Sequence, residues 1–77
     1  MQWGFWDKKT GEFVRFYRSI WQEDTRMDGV QLHLFKTELE AIAALEMMKE
    51  LSTYPEQYYS YEIMEIPADE PVWKSYD

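Results

Sequence analysis

The sequence predicts a small α+β domain in the order β-β-β-α-β. It has a four-stranded, mostly antiparallel sheet and one helix packed on one face. Three observations lead there. Aromatic and aliphatic residues alternate with polar ones over four short stretches, the period-two pattern of half-buried strands. One stretch only, Thr37 to Leu51, carries a helical period built from good helix formers. A chain of 77 residues is one domain, 1–77, with room for a single small core.

The first strand is "WGFW", with Trp3 and Phe5 on one face and Trp6 on the other. "DKKTG" then turns the chain, and Gly11 supplies the left-handed backbone of a bulged hairpin loop. The second strand, "EFVRFYRSIW", places Val14, Phe16, Arg18 and Ile20 on one face. Phe13, Arg15, Tyr17 and Ser19 lie on the other. "QEDTRMDG" is polar and ends in Asp28-Gly29, which reads as a turn. "VQLHLF" is the third strand, with Val30, Leu32 and Leu34 opposed to Gln31, His33 and Phe35.

Thr37 and Glu40 open the helix with the spacing of a capping box. Ala41, Ala43, Ala44, Leu45, Met47, Met48 and Leu51 form a wide apolar arc, with Leu39 and Ile42 at its margins. Glu46, Lys49 and Glu50 lie opposite. The arc is wider than one sheet contact needs, and Pro55 ends the segment. "QYYSYEIMEI" is the fourth strand, apolar on both faces. Residues 66–77 are expected to run as an extended tail, with Pro67 and Pro71 directing it and Trp73 as its anchor. A meander of the first three strands and a right-handed crossover through the helix give the spatial order 4-1-2-3.

Composition excludes several functions. With no cysteine there is no disulfide and no thiolate metal site. No apolar run approaches the roughly 20 residues of a membrane span, and "MQWGFWDKK" lacks the pattern of a signal peptide, so a cytoplasmic location is expected. The one histidine, His33, has no nucleophile or orienting group in its neighbourhood, and no serine sits in a G-x-S-x-G context. The acids at 23, 24 and 28 lack calcium-loop spacing, and three glycines make no phosphate loop. No catalytic residue, metal ligand or cofactor is expected.

"FVRF", Phe13 to Phe16, resembles the last four positions of the RNP1 motif of RRM domains. The preceding positions lack its glycine and aromatic, and the chain is acidic. Direct nucleic-acid binding is not expected.

What remains is an excess of two residue kinds. The fourteen aromatics and the Ala/Met helix face exceed what one helix on four strands buries, and that surplus has the composition of an interface core. The expected role is therefore a non-enzymatic protein-interaction module, self-associating or binding a protein partner through Met47, Met48, Tyr58 and Trp73. The net charge is −7, and residues 36–77 carry all of the excess: three basic side chains against ten acids. A basic protein is the favoured partner of such a field. The alternative reading is a nucleic-acid mimic of the anti-restriction or anti-CRISPR type found in phages. In it Glu46, Glu50, Glu62, Glu65, Asp69 and Glu70, with Glu38, imitate a phosphate backbone.

Overall fold

The computed structural model describes residues 1–76. Its elements are β1 (Trp3–Asp7), β2 (Glu12–Phe13), β3 (Arg15–Gln22), β4 (Thr25–Leu32), α1 (Glu38–Leu51), a 3-10 turn (Pro55–Tyr58), β5 (Tyr61–Glu65) and β6 (Trp73–Ser75). The fold is α+β with one helix, but the single four-stranded sheet of the sequence reading is two three-stranded antiparallel sheets. Their orders are β2-β1-β5 and β3-β4-β6.

The split has a local cause. Gly11, with φ of +69°, turns the chain back, and Trp6 and Asp7 pair with Phe13 and Glu12. Val14 donates to the Phe5 carbonyl at 2.8 Å, the last bond of that hairpin. The far end of the same β1 edge is already taken. Trp3 and Phe35 exchange backbone hydrogen bonds at 2.8 and 2.9 Å. β3 therefore leaves β1 at Arg15 and pairs with β4, Arg15 opposite Leu32 through to Gln22 opposite Thr25. The single second strand of the sequence reading is thus two pieces, one in each sheet.

The "QEDTRMDG" stretch is corrected too. Only Glu23 and Asp24 turn, at φ of +50° and +64°, and Thr25 to Gly29 are strand. Both central residues sit in the left-handed region, as a two-residue hairpin with the right twist requires. Asp28-Gly29 marks no turn. Gly29 is needed because β6 crosses over it: a Cβ there would lie 2.6 Å from Cζ2 of Trp73. The expected tail forms this strand, Trp73 opposite Gln31 and Ser75 opposite Gly29. The fourth strand of the sequence reading is shorter than expected, because Pro55 to Tyr58 form the 3-10 turn. As the strand order 4-1-2-3 anticipated, it lies beside β1, Phe5 opposite Ile63.

α1 packs on one face of the first sheet. Phe5, Ala41 and Leu45 are buried at its centre, surrounded by Trp3, Val14, Phe35, Ala44, Met48, Tyr58, Tyr61 and Ile63. Phe13 and Leu32 are buried apart from that cluster. Thr37 caps the helix, its Oγ1 accepting from the Glu40 N–H at 3.1 Å. The Glu40 carboxylate accepts from the N–H of Lys36, one residue before the cap. The loop ahead of β6 is held by Arg15, whose side chain is 12% exposed. It donates to the Pro71 carbonyl at 2.6 Å, the Val72 carbonyl at 3.3 Å and the Glu70 carboxylate at 3.1 Å.

Two stability predictions follow from the backbone. Glu23→Asn with Asp24→Gly is expected to stabilise the chain by about 1 kcal/mol, because both replacements accept positive φ more readily. Urea denaturation checks it, and an unchanged midpoint would mean the turn stores no strain. Gly29→Ala is expected to cost roughly 1–3 kcal/mol in the same assay by pushing Trp73 and β6 off β4. A loss below that range would mean that both Trp73 and the Lys74 carbonyl, the atom nearest to the added Cβ, yield freely.

Candidate functional site

Only one side of α1 is covered. At about 100° per residue, Ala41, Ala44, Leu45 and Met48 form the face that meets the first sheet. On the other side Leu39, Ala43, Met47 and Leu51 follow one another at four-residue intervals, a single ridge along the helix. Leu39 is 77% exposed, Met47 60% and Leu51 79%, with Ile42 beside them at 39%. Glu46 and Glu50 stand exposed alongside the ridge, and Glu46 has Lys49 at 4.0 Å.

The four apolar positions singled out in the sequence are not brought together. Met48 and Tyr58 pack against the buried cluster, from α1 and from the 3-10 turn. Tyr58 meets Tyr61 edge-on at 5.6 Å. Trp73 lies in the second sheet over Gly29, half-buried, with its indole N–H enclosed and unpartnered. Met47 alone sits on the open side of the helix. The residues that join it there, Leu39 and Ile42, stood at the margin of the apolar arc in the sequence. The signal that marks Leu39 is the 39-43-47-51 spacing, which no single-sided helix needs; Ile42 lies outside that series.

The six carboxylates of the charge reading are also dispersed. Glu46 and Glu50 lie on α1, whereas Glu62 and Glu65 point to opposite faces of β5. Asp69 is exposed in the loop, and Glu70 is neutralised by Arg15. They form no continuous row.

The aromatic surplus has a second outlet on the second sheet. Tyr17 and Tyr76 stack at 5.8 Å, and Trp21 stands exposed further along the same face of β3. Below them Ser19 donates to the Asp28 carboxylate at 2.6 Å and Arg26 to the same oxygen at 2.8 Å. Those two hydrogen bonds, the serine's first, hold the Asp28 carboxyl below its ordinary range, and Asp28 in turn raises the Arg26 guanidinium.

Two surface clefts lie away from α1. One of about 390 Å³ lies between the N-terminus and the 66–72 loop, walled by Leu34, Ile66, Pro67 and Val72. The other, of about 260 Å³, holds the Arg15–Glu70 pair beside Trp6 and Phe13. Neither is lined by a serine, threonine, cysteine or histidine. Among the described residues no three His, Cys, Asp or Glu side chains converge on a metal position, and no helix is long and apolar enough to cross a membrane. His33 is wedged between Phe5 at 5.2 Å and Phe16 at 4.9 Å, and burial pushes its imidazole below the ordinary histidine value.

No family model, curated protein or solved structure matches this chain.

The histidine makes the fold sensitive to mild acid. Its neutral form is favoured in the folded state, so the unfolded chain takes up the proton first. The stability it lends is present at neutral pH and is lost as pH falls below about 6.5. Stability measured by urea denaturation is expected to fall between pH 7 and 5, and His33→Phe to flatten that slope. An NMR titration of His33 with its midpoint at or above the ordinary value would refute the assignment.

Proposed function

We propose that this chain is a non-enzymatic interaction module that docks a protein partner on the open side of α1. One observation carries the reading. A capped helix of fourteen residues is apolar on two sides, and this chain covers one of them. A helix needs one apolar stripe to pack on one sheet, and the second row, Leu39, Ala43, Met47 and Leu51, has no wall of this chain against it. Single exposed leucines are ordinary on protein surfaces, but Leu39, Met47 and Leu51 exposed along one row of a helix are the pattern of a recognition site.

Charge selects the kind of partner. Glu46 and Glu50 flank the ridge and the chain carries −7 overall, so the fitting partner presents an apolar helix or strand edged with lysine or arginine. Two copies of this ridge laid against each other would bring those carboxylates together, which disfavours self-pairing at this surface. Met47 adds an unbranched, polarisable side chain that adapts to its partner's shape.

A photo-reactive residue at position 47, in cells that express the chain, is expected to give one dominant adduct. Leu39→Glu should abolish that adduct and Trp21→Ala should spare it. Because Leu39 and Met47 are exposed, Leu39→Glu with Met47→Glu should leave the thermal midpoint nearly unchanged. Adducts of equal strength from positions 47 and 9, or an adduct indifferent to Leu39→Glu, would overturn the assignment.

A further inference from the structure

We infer that two copies of this chain pair along β3, joining their second sheets into one six-stranded sheet of order β6-β4-β3-β3-β4-β6. The inference rests on the second sheet and is independent of the α1 ridge. β3 is an edge strand of eight residues, hydrogen-bonded on one side only. The other edge strands are shorter: β2 has two residues, β6 three and β5 five. Open edges in monomers are usually blunted by proline, lysine, glycine bulges or brevity. β3 is "RFYRSIWQ", eight residues with no proline, lysine or glycine; its two charges are engaged within the chain, Arg15 with residues 70–72 and Arg18 with Gln31.

The direction of its free backbone groups can be read from its neighbours. The Asp28 carbonyl accepts from Tyr76 and the Leu32 N–H donates to Val72, so both residues direct those groups to β6, away from β3. Their partners on β3, Ser19 and Arg15, are therefore the non-bonded positions of that ladder. Arg15, Tyr17, Ser19 and Trp21 consequently aim their N–H and C=O groups outward, at the open edge.

An antiparallel pair of identical strands related by a two-fold axis must centre on one residue; Arg18 and Ser19 are the centres that pair most of β3, and charge chooses between them. Centred on Arg18, each Arg18 faces itself, which like-charge repulsion disfavours. Centred on Ser19, each Arg18 faces Ile20 of the second copy, and Ser19 faces Ser19. Tyr17, 56% exposed, then faces Trp21 of the second copy, 71% exposed, on the same side of the sheet. The Ser19 pair and the two Tyr17–Trp21 pairs fall on outward-directed backbone groups, so backbone bonding and aromatic pairing agree in one register. The same register lays the start of one β3, at Arg15, opposite the acidic turn of the other, at Glu23.

The chain has no cysteine, which makes the test clean. Directly opposed residues of a bonded antiparallel pair are about 5.5 Å apart at Cα, within disulfide reach. Oxidised Ser19→Cys is expected to form a covalent dimer rapidly, and Lys9→Cys, on the first hairpin, to form one slowly or not at all. Light scattering of the unmodified chain should give twice the monomer mass. Ser19→Pro removes the central outward N–H without touching the β3–β4 ladder, so it should weaken the dimer by roughly tenfold or more. If Ser19→Pro does not fold, the cysteine comparison decides alone. A monomer whose Ser19→Cys form crosslinks no faster than Lys9→Cys overturns the proposal. So does a dimer that survives Ser19→Pro but is lost with Leu39→Glu and Met47→Glu, because that pairing would run through α1.

Discussion

One strand edge organises this molecule. β1 has β5 along one side, and on its other side two segments compete for five residues of backbone. The returning hairpin takes Trp6 and Asp7 and reaches Phe5 through Val14. Phe35, arriving from β4, takes Trp3. Neither can have the whole edge, so the strand that begins as β2 is turned out at Arg15 and finds β4 instead. Extra backbone pairing could be gained by one segment only at the other's expense, and buried backbone groups left unpaired cost more than a rearranged sheet. The second sheet is the consequence of that sharing.

The remaining features follow from two sheets in place of one. A single helix covers one face of the first sheet, and a domain this small has no second layer to spare for the helix's outer side. The second sheet has to be tied down separately, and Arg15 does so at the point where the chain leaves β1. Its guanidinium collects two carbonyls and a carboxylate from residues 70–72. It thereby fixes the approach of β6 to β4. Trp73 then fills the space that Gly29 leaves open. The same residue that ends the first hairpin thus anchors the last strand, across more than fifty residues of chain.

What was legible in the sequence was local. Gly11 as the hairpin glycine, Thr37 as the helix cap and the alternation of Trp3 and Phe5 depend on neighbours in the chain. The excess width of the helical arc was legible for the same reason, because helix geometry alone sets its angles. The errors fell where distant segments decide. Thr25 to Gly29 is polar and ends in Asp-Gly, yet it is strand, because β3 and β6 flank it. The turn that reverses there uses Glu23 and Asp24, which carry none of the usual glycine signal. Met48 and Met47 are adjacent and chemically identical. Which one is core depends on a rotation of 100°, settled only by where the first sheet lies. Trp73 could be named as an anchor, but its seat over Gly29 lies more than forty residues away in sequence.

The two candidate surfaces lie on different sheets, and that separation matters for affinity. The α1 ridge is short, interrupted by Ala43 and edged by carboxylates whose attraction for a basic partner is screened by salt. One such ridge is suited to a weak, reversible contact. β3 belongs to the sheet that α1 does not cover, so pairing there leaves the ridge free and presents it twice. Against a partner with two sites within reach, the second contact becomes intramolecular, and binding can tighten by roughly 10²–10⁴ without any new interaction. In the arrangement proposed above, the strand edge would set how many ridges are offered and the helix face what each of them accepts.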